Sequence, residues 1–140
     1  GRPRPRRRQS RTNGLDRASS PAVDPHAGHG GDRNGALAMA AAHCQIAGDV
    51  CLAHCLELLA TGDTSIAGCA RSVREMLAVC GMIGPLAAAR SARLREAAAL
   101  CGAMCKDCKV ECDKHADKHA ECKGCADACE QLIAEIGKLA

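Results

Sequence analysis

The chain has no Phe, Tyr or Trp in its 140 residues. That excludes single-strand nucleic-acid binding by base stacking, which needs aromatic platforms. It also excludes aromatic cages for cations. Branched aliphatic residues are scarce: 12 Leu, 5 Ile and 5 Val make 22. A share under about a fifth goes with disorder when net charge is high, yet the formal net charge is only +3. No uninterrupted apolar run approaches the roughly 18 residues of a membrane-spanning helix, so no membrane partner is expected. What the chain has instead is 28 Ala and 12 Cys. Cysteine at that density points to a disulfide scaffold or to a metal site, and spacing must decide between them.

The sequence divides into two unlike parts. Residues 1–33 hold four of the five Pro, eight Arg, three Asp and no Cys, a net charge of 8 − 3 = +5. Residues 34–140 carry 11 basic and 13 acidic groups, net −2. The first part is expected to be a disordered basic tail, because it has little apolar surface to offset the entropy of ordering. Arg6-Arg7-Arg8 reads as a solvated basic run or as the remnant of a twin-arginine export signal. No apolar segment follows it, so no intact signal peptide is visible. Charge alone gives only salt-sensitive, unspecific nucleic-acid binding, and no nucleic-acid partner is expected. His26 and His29 read as unliganded tail residues.

From residue 34 the pattern is helical. An Ala-rich run from about Ala36 to Ala60 stops at Thr61-Gly62. Asp63 or Thr64 can cap a second helix through a side-chain oxygen that accepts from free N–H groups, and this helix runs to about Met82. Pro85 suits the first turn of a third helix, where its missing N–H costs nothing, and that helix continues to about Lys114. A short His115–His119 link leads to a fourth helix from about Ala120 to Lys138. Connections this short favour antiparallel neighbours, so the expected fold is all-α: an up-down-up-down four-helix bundle over 34–140.

Placed at ~100° per residue, the cysteines form one stripe on each helix. Cys44, Cys51 and Cys55 share a face. So do Cys69, Met76 and Cys80, and so do Cys101, Cys105, Cys108 and Cys112. Cys122, Cys125 and Cys129 complete the set, with Ile133 and Ile136 continuing their face. Arg71, Arg74, Lys106, Asp107, Asp127 and Glu130 fall mostly elsewhere. Sulfur therefore replaces Leu along the axis of a bundle, which accounts for the thin aliphatic core. With the first helix pointing up, nine cysteines are expected in the upper half, and Cys44, Cys80 and Cys101 in the lower.

A single free Cys is a small buried hydrophobe, but twelve on four aligned stripes ask for another explanation. Disulfides between cysteines four apart on one helix would strain it, while bridges across the bundle stay open. Structural zinc commonly uses Cys-x2-Cys pairs, and Cys105/Cys108 and Cys122/Cys125 have that spacing. The bacterial ferredoxin run of Cys-x2-Cys-x2-Cys-x3-Cys-Pro is absent. Cys-x3-Cys pairs such as Cys51/Cys55 and Cys108/Cys112 set two sulfurs on successive turns. Cu(I) fits these best, being soft and partial to thiolates and thioethers. A zinc- or iron–sulfur-binding structural or electron-transfer protein is the alternative. A thiol redox enzyme is disfavoured, since no pair stands at a helix N-terminus that would lower its pKa, and no catalytic constellation of another kind is present.

Several segments together resemble the bacterial copper storage proteins over about residues 40–138. They are His43-Cys44-Gln45, Cys51-x2-His54-Cys55, Gly62-Asp63-Thr64-Ser65, Cys69-Ala70-Arg71 and Met76-x3-Cys80. The run Lys114-His115-Ala116-Asp117-Lys118-His119-Ala120-Glu121-Cys122, then Cys125 and Cys129, complete the match. The likeness is greater to the exported branch than to the cytosolic one. The resemblance implies a non-enzymatic store of many Cu(I) ions, loading through one open end, and a homotetramer of bundles. It implies metal ligation by the twelve cysteines with His54 at the mouth, and Met76, on the same core line, reads as a replacement ligand near the mouth. Leu58 and Ile66 occupy places where thioethers would be expected. His43 falls ~100° off its stripe and reads as a surface residue. His115 and His119 belong to the upper connection, and Met39, Met82 and Met104 read as packing or surface residues. The resemblance favours an exported location, with the cytosol as the open alternative. Nothing in the sequence identifies the protein that delivers or receives copper.

Overall fold

The computed structural model describes residues 1–3 and 33–139. The expected tail, with Arg6-Arg7-Arg8, His26 and His29, lies outside the described residues except for its ends. Every regular element among the described residues is helical.

Helix α1 spans Arg33–Ala60. Its Ala-rich sequence favours the helix, since Ala gives up no side-chain entropy. It ends where Gly62 takes φ +93°, a left-handed conformation that glycine adopts without a Cβ clash. The N–H of Asp63 then donates to the Leu58 carbonyl at 3.1 Å and that of Gly62 to Leu59 at 3.0 Å. This Schellman arrangement satisfies carbonyls that the last turn leaves free. Asp63 caps the next segment as expected, its carboxylate accepting from the Ser65 N–H at 3.1 Å. The segment opens with a 3-10 turn, Thr64–Ile66, before α2 at Ala67–Cys80. Helix α2 thus stops two residues short of Met82.

The expected third helix is two. Helix α3 spans Ile83–Ala88 and α4 spans Leu94–Asp113. The chain breaks between them at Arg90, which has φ +50°. The Ser91 N–H donates back to the Leu86 carbonyl at 3.0 Å, the same Schellman bond that ends α1. Here Arg90 occupies the left-handed position that glycine holds at Gly62. The Ser91 hydroxyl then accepts from the Arg93 N–H at 3.1 Å, starting α4. Helix α5 spans Ala120–Gly137, as expected.

Helices α1, α2, α4 and α5 form a ring in which α1 meets α2 and α5, and α4 meets α2 and α5. The diagonal pairs do not approach one another closely, which leaves an axis for side chains. Short helix α3 packs across α1 and α4. Leu37, Ile83 and Leu132 are fully buried there, and Leu86, Ile133 and Ile136 pack against them, so one end of the axis is plugged with aliphatic side chains. Gly48 brings α1 close to α2: a Cβ there would lie 2.9 Å from the Met76 methyl and 2.8 Å from Leu77.

Helix α1 departs from expectation in one respect. Although His43, Gln45 and Asp49 interrupt its apolar runs, Asn34–Ala60 is long and apolar enough on average to cross a membrane. In the bundle its cysteine stripe faces the axis, while Met39, Ile46 and Val50 are exposed on its outer side.

The left-handed Arg90 yields a stability prediction. A non-glycine residue there costs roughly 1–2 kcal/mol. Arg90→Gly should raise the unfolding free energy by about 1 kcal/mol after the entropic cost of glycine in the unfolded chain. Urea unfolding of the metal-free protein reads this directly, and a loss of stability would show that Arg90 makes a compensating contact.

Candidate metal centre

All twelve cysteines are fully buried on the bundle axis, as the stripes require. Arg71, Arg74, Lys106, Asp107, Asp127 and Glu130 are exposed. Five groups of sulfurs occur in which the atoms lie within 4.8 Å of one another. At the end formed by the α1–α2 and α4–α5 connections is Cys51/Cys55/Cys69/Cys122. Next come Cys51/Cys112/Cys125, Cys108/Cys125/Cys129, Cys44/Cys105/Cys129 and Cys80/Cys101/Cys105. Each group shares one sulfur with the next: Cys51, Cys125, Cys129 and Cys105 in turn. Together the five include every cysteine, so the sulfurs form one continuous file from the open end to the aliphatic plug.

The closest non-bonded contacts along the file are Cys69–Cys112 at 3.4 Å, Cys80–Cys105 at 3.6 Å and Cys44–Cys129 at 3.7 Å. Cys108–Cys125 at 3.8 Å and Cys51–Cys122 at 3.9 Å continue it. With metal–sulfur bonds of about 2.3 Å, two thiolates on one ion stand about 4.0 Å apart at a trigonal centre and about 4.6 Å apart at a linear one. An ion can therefore enter a trigonal site between neighbours with shifts of a few tenths of an ångström, and a linear one with shifts of about 1 Å. Met76 is buried with its sulfur 3.7 Å from Cys44 Sγ, at the same spacing, so it lies beside the deep sulfurs rather than near the mouth as expected, because the register of α2 sets it against Cys44.

One further detail differs from the sequence reading, and one decides a point it left open. Cys105 and Cys129 pack at the level of Cys44 and Cys80, so the deep half holds five sulfurs and the upper half seven. Cys80 and Cys101 are joined by a disulfide between α2 and α4, with Cα atoms 5.4 Å apart, and the other ten cysteines are free. That pair can ligate a metal only after reduction, since thiolate is the metal ligand.

The free thiols do not titrate alike. Hydrogen bonds from Cys105 and Cys129 hold Cys44 down at about 4. Those from Cys112 and Cys125 hold Cys108 far below the ordinary thiol range. Cys108 itself pushes Cys125 up, but bonds from Cys112 and Cys129 outweigh this and leave it at about 6. At the open end, burial, followed by charge on Cys51 and Cys69, pushes Cys55 and Cys122 well above the usual value.

The open end also carries imidazoles. His54, near the last turn of α1, places Nε2 2.9 Å from Nδ1 of His119, which precedes α5. The same atom is 3.5 Å from Glu121 Oε2. The His115 and His119 rings stand 6.4 Å apart. Ile66 is buried and Leu58 half-buried beside the core, so the rim has aliphatic groups where thioethers were expected. His43 and Met39 are exposed on α1, Met82 is exposed and Met104 is half-buried, as surface and packing residues should be. The contacts of His119 and Glu121 with His54 are not evident from the sequence. The signal lies in position: Glu121 precedes Cys122 as His54 precedes Cys55, and a residue one before a core position flanks it by ~100°.

A closed axis of soft sulfurs with imidazoles at its open end defines a thiolate metal-binding bundle. The profile of the copper storage protein family matches residues 32–140. The chain belongs to that family. Among solved structures it is similar to apo copper storage protein 3 from Bacillus subtilis, with 31% identity and a TM-score of 0.63. That match covers 72% of this chain and 92% of the other. It is also similar to a Cu(I)-bound copper storage protein, BsCsp3, with 29% identity, a TM-score of 0.68, and coverage of 77% and 98% respectively. No curated protein matches the sequence. The four-helix bundle expected from the stop signals is thus found, and the protein stores Cu(I) in thiolate coordination; the zinc and iron–sulfur alternatives fall away.

Metal loading and proton release are linked, because a ligating thiol must lose its proton. Cys55 and Cys122, raised by burial, are protonated at neutral pH and give up protons to Cu(I). Cys44 and Cys108 are already anionic there and release none. Loading at pH 7, followed in a pH-stat, should release clearly fewer protons than thiols engaged, and retention should weaken as pH falls. Release of one proton per thiol would contradict the thiol pattern.

Proposed function

We propose that the bundle stores about one Cu(I) per cysteine. The ligands in this reading are all twelve cysteines with Met76 in the core, and His54 at the mouth. The file of overlapping sulfur groups is the observation that carries it. Each shared sulfur can bridge two ions, so neighbouring sites merge into clusters. Charge sets the same ratio. A buried net charge is costly in a low-dielectric core, and one Cu(I) per thiolate leaves the core neutral. The role is storage rather than catalysis: the buried thiols line no substrate cleft, and none is set apart as a nucleophile.

Copper loads at the His54 end in this account. The opposite end is plugged by Leu37, Ile83 and Leu132, whereas His54 and the four-sulfur group Cys51/Cys55/Cys69/Cys122 lie at the open end. An imidazole holds Cu(I) less firmly than paired thiolates do, which suits transfer inward. The basic segment 1–33 contains no thiol and in this reading adds nothing to capacity, while 34–140 forms the copper-binding domain.

An anaerobic Cu(I) titration of the fully reduced chain tests this reading. About twelve ions per chain are expected, and the same endpoint after removal of residues 1–33. His54→Ala should reach that endpoint more slowly. Saturation near four ions would replace the file by a discrete site, and equal rates would remove His54 from the loading route.

Assembly as a homotetramer and an exported location complete the reading. The outer face of α1 supports the first: Met39, Ile46 and Val50 are separated by seven and four residues, so they share a face, and Ile46 is 64% exposed. A helix apolar on both faces is ordinarily covered on both, and a second copy offers the same apolar stripe. Ile46→Glu should convert the tetramer to smaller species in sedimentation velocity. A wild-type monomer at micromolar concentration would contradict the assembly. Fractionation of the producing cells tests the location, with recovery in the cytosol the contrary result.

A further inference from the structure

The Cys80–Cys101 disulfide lies at the plugged end of the axis, far from the mouth, and both residues are fully buried. A reductant in solution has no direct access to it. The bridge does have a sulfur neighbour. Cys105 is a free thiol whose Sγ stands 3.6 Å from Cys80 Sγ and 4.0 Å from Cys101 Sγ. Cys105 in turn belongs to the file of overlapping groups that runs to the open end. At that end Cys55 and Cys122 follow His54 and Glu121, whose side chains are 22% and 36% exposed.

We propose that the sulfur file is a thiol–disulfide relay, which carries the buried bridge from Cys80–Cys101 to the open end for reduction by a small dithiol. In the first step Cys105 Sγ attacks Cys80 Sγ. A Cys80–Cys105 bond forms, the Cys80–Cys101 bond breaks, and the electron pair leaves on Cys101 Sγ. The Cys105 proton passes to the Cys44 thiolate, which already accepts a hydrogen bond from Cys105, and the Cys101 thiolate takes up a proton in turn. Closing the 3.6 Å contact to a bond of about 2.0 Å asks for a movement of about 1.6 Å. Later steps repeat the exchange between sulfurs on different helices: Cys105–Cys129, Cys129–Cys108, Cys108–Cys125, Cys125–Cys51 and Cys51–Cys122. The sulfurs of each pair lie within 4.8 Å. None of these exchanges changes the number of free thiols. The last step does: the dithiol reduces the Cys51–Cys122 bridge, becomes a cyclic disulfide and gives its two protons to the two cysteines. A bond from Cys129 favours the Cys105 anion, but donation to Cys44, together with burial, outweighs it and keeps Cys105 a thiol. Exchange therefore runs on the scale of uncatalysed disulfide rearrangement, about minutes to hours. Return of Cys80 and Cys101 to the copper ligands is a consequence that rests on the storage reading, whereas the relay itself needs no copper.

The test uses the full chain, free of copper and with the Cys80–Cys101 bridge formed, in native buffer without oxygen. Dithiothreitol is added, samples are quenched in acid and alkylated, and bridges are located by mass spectrometry. The wild-type chain should pass from ten free thiols to twelve. Cys105→Ser keeps the size of the side chain and removes the first attacking sulfur, so its bridge should persist after the wild type is fully reduced. Equal rates in the two folded chains overturn the relay. If circular dichroism shows that Cys105→Ser has unfolded, Cys101→Ser decides instead. Treated with diamide, which takes up two electrons and two protons, it should form a Cys80–Cys105 bridge through the same contact. Cys80 left as a free thiol there overturns the relay. Neither readout involves copper, so both decide the relay whether or not the storage reading holds.

Discussion

A buried thiolate carries a charge that a low-dielectric interior holds only when it is compensated. Twelve sulfurs on one axis multiply that problem, and two kinds of partner are present to solve it: neighbouring S–H groups in the metal-free protein, and Cu(I) in the loaded one. The metal-free core is a hydrogen-bonded file in which anions at Cys44 and Cys108 are each held by donors from adjacent thiols. Loading replaces protons by copper ions of equal charge at the protonated thiols and neutralises the thiolates that carry none. The same side-chain positions serve both states because sulfur contacts of 3.4–4.0 Å already match the spacing of ligands on one ion.

The composition follows from that requirement. A large aromatic ring on the axis would fill the space the ions need, and the chain has none. Alanine supplies helix propensity with little bulk, so the helices approach closely enough for sulfurs on different helices to meet. Gly48 allows one close approach, where α1 passes the Met76 and Leu77 side chains. The bulky aliphatic side chains Leu37, Ile83 and Leu132 gather at the plugged end, where α3 folds across the bundle and closes the axis.

Periodicity made the stripes, the bundle and the open end legible, because a core position repeats along a helix and the breaks at Gly62 and before Pro85 are marked by residue type. The break at Arg90 was hidden: the Schellman position after α3 has arginine where glycine would announce it. Levels along the axis were less legible than faces. Stripe angles place a cysteine toward the core, but the register between helices decides its neighbours, and so Cys105 and Cys129 pack deeper than expected. The Cys80–Cys101 bridge and the His54–His119 contact join elements far apart in sequence, and neither follows from spacing on a single helix.

The central claim is that copper occupies the sulfur file as neighbouring, thiolate-bridged ions. X-ray absorption at the copper edge of the fully loaded protein examines this most directly. The account predicts a first shell dominated by sulfur, at about 2.3 Å as for other thiolate-bound metals of this size, with copper–copper scattering from ions that share Cys51, Cys125, Cys129 or Cys105. A first shell dominated by nitrogen or oxygen, or sulfur coordination with no copper neighbour, would contradict it.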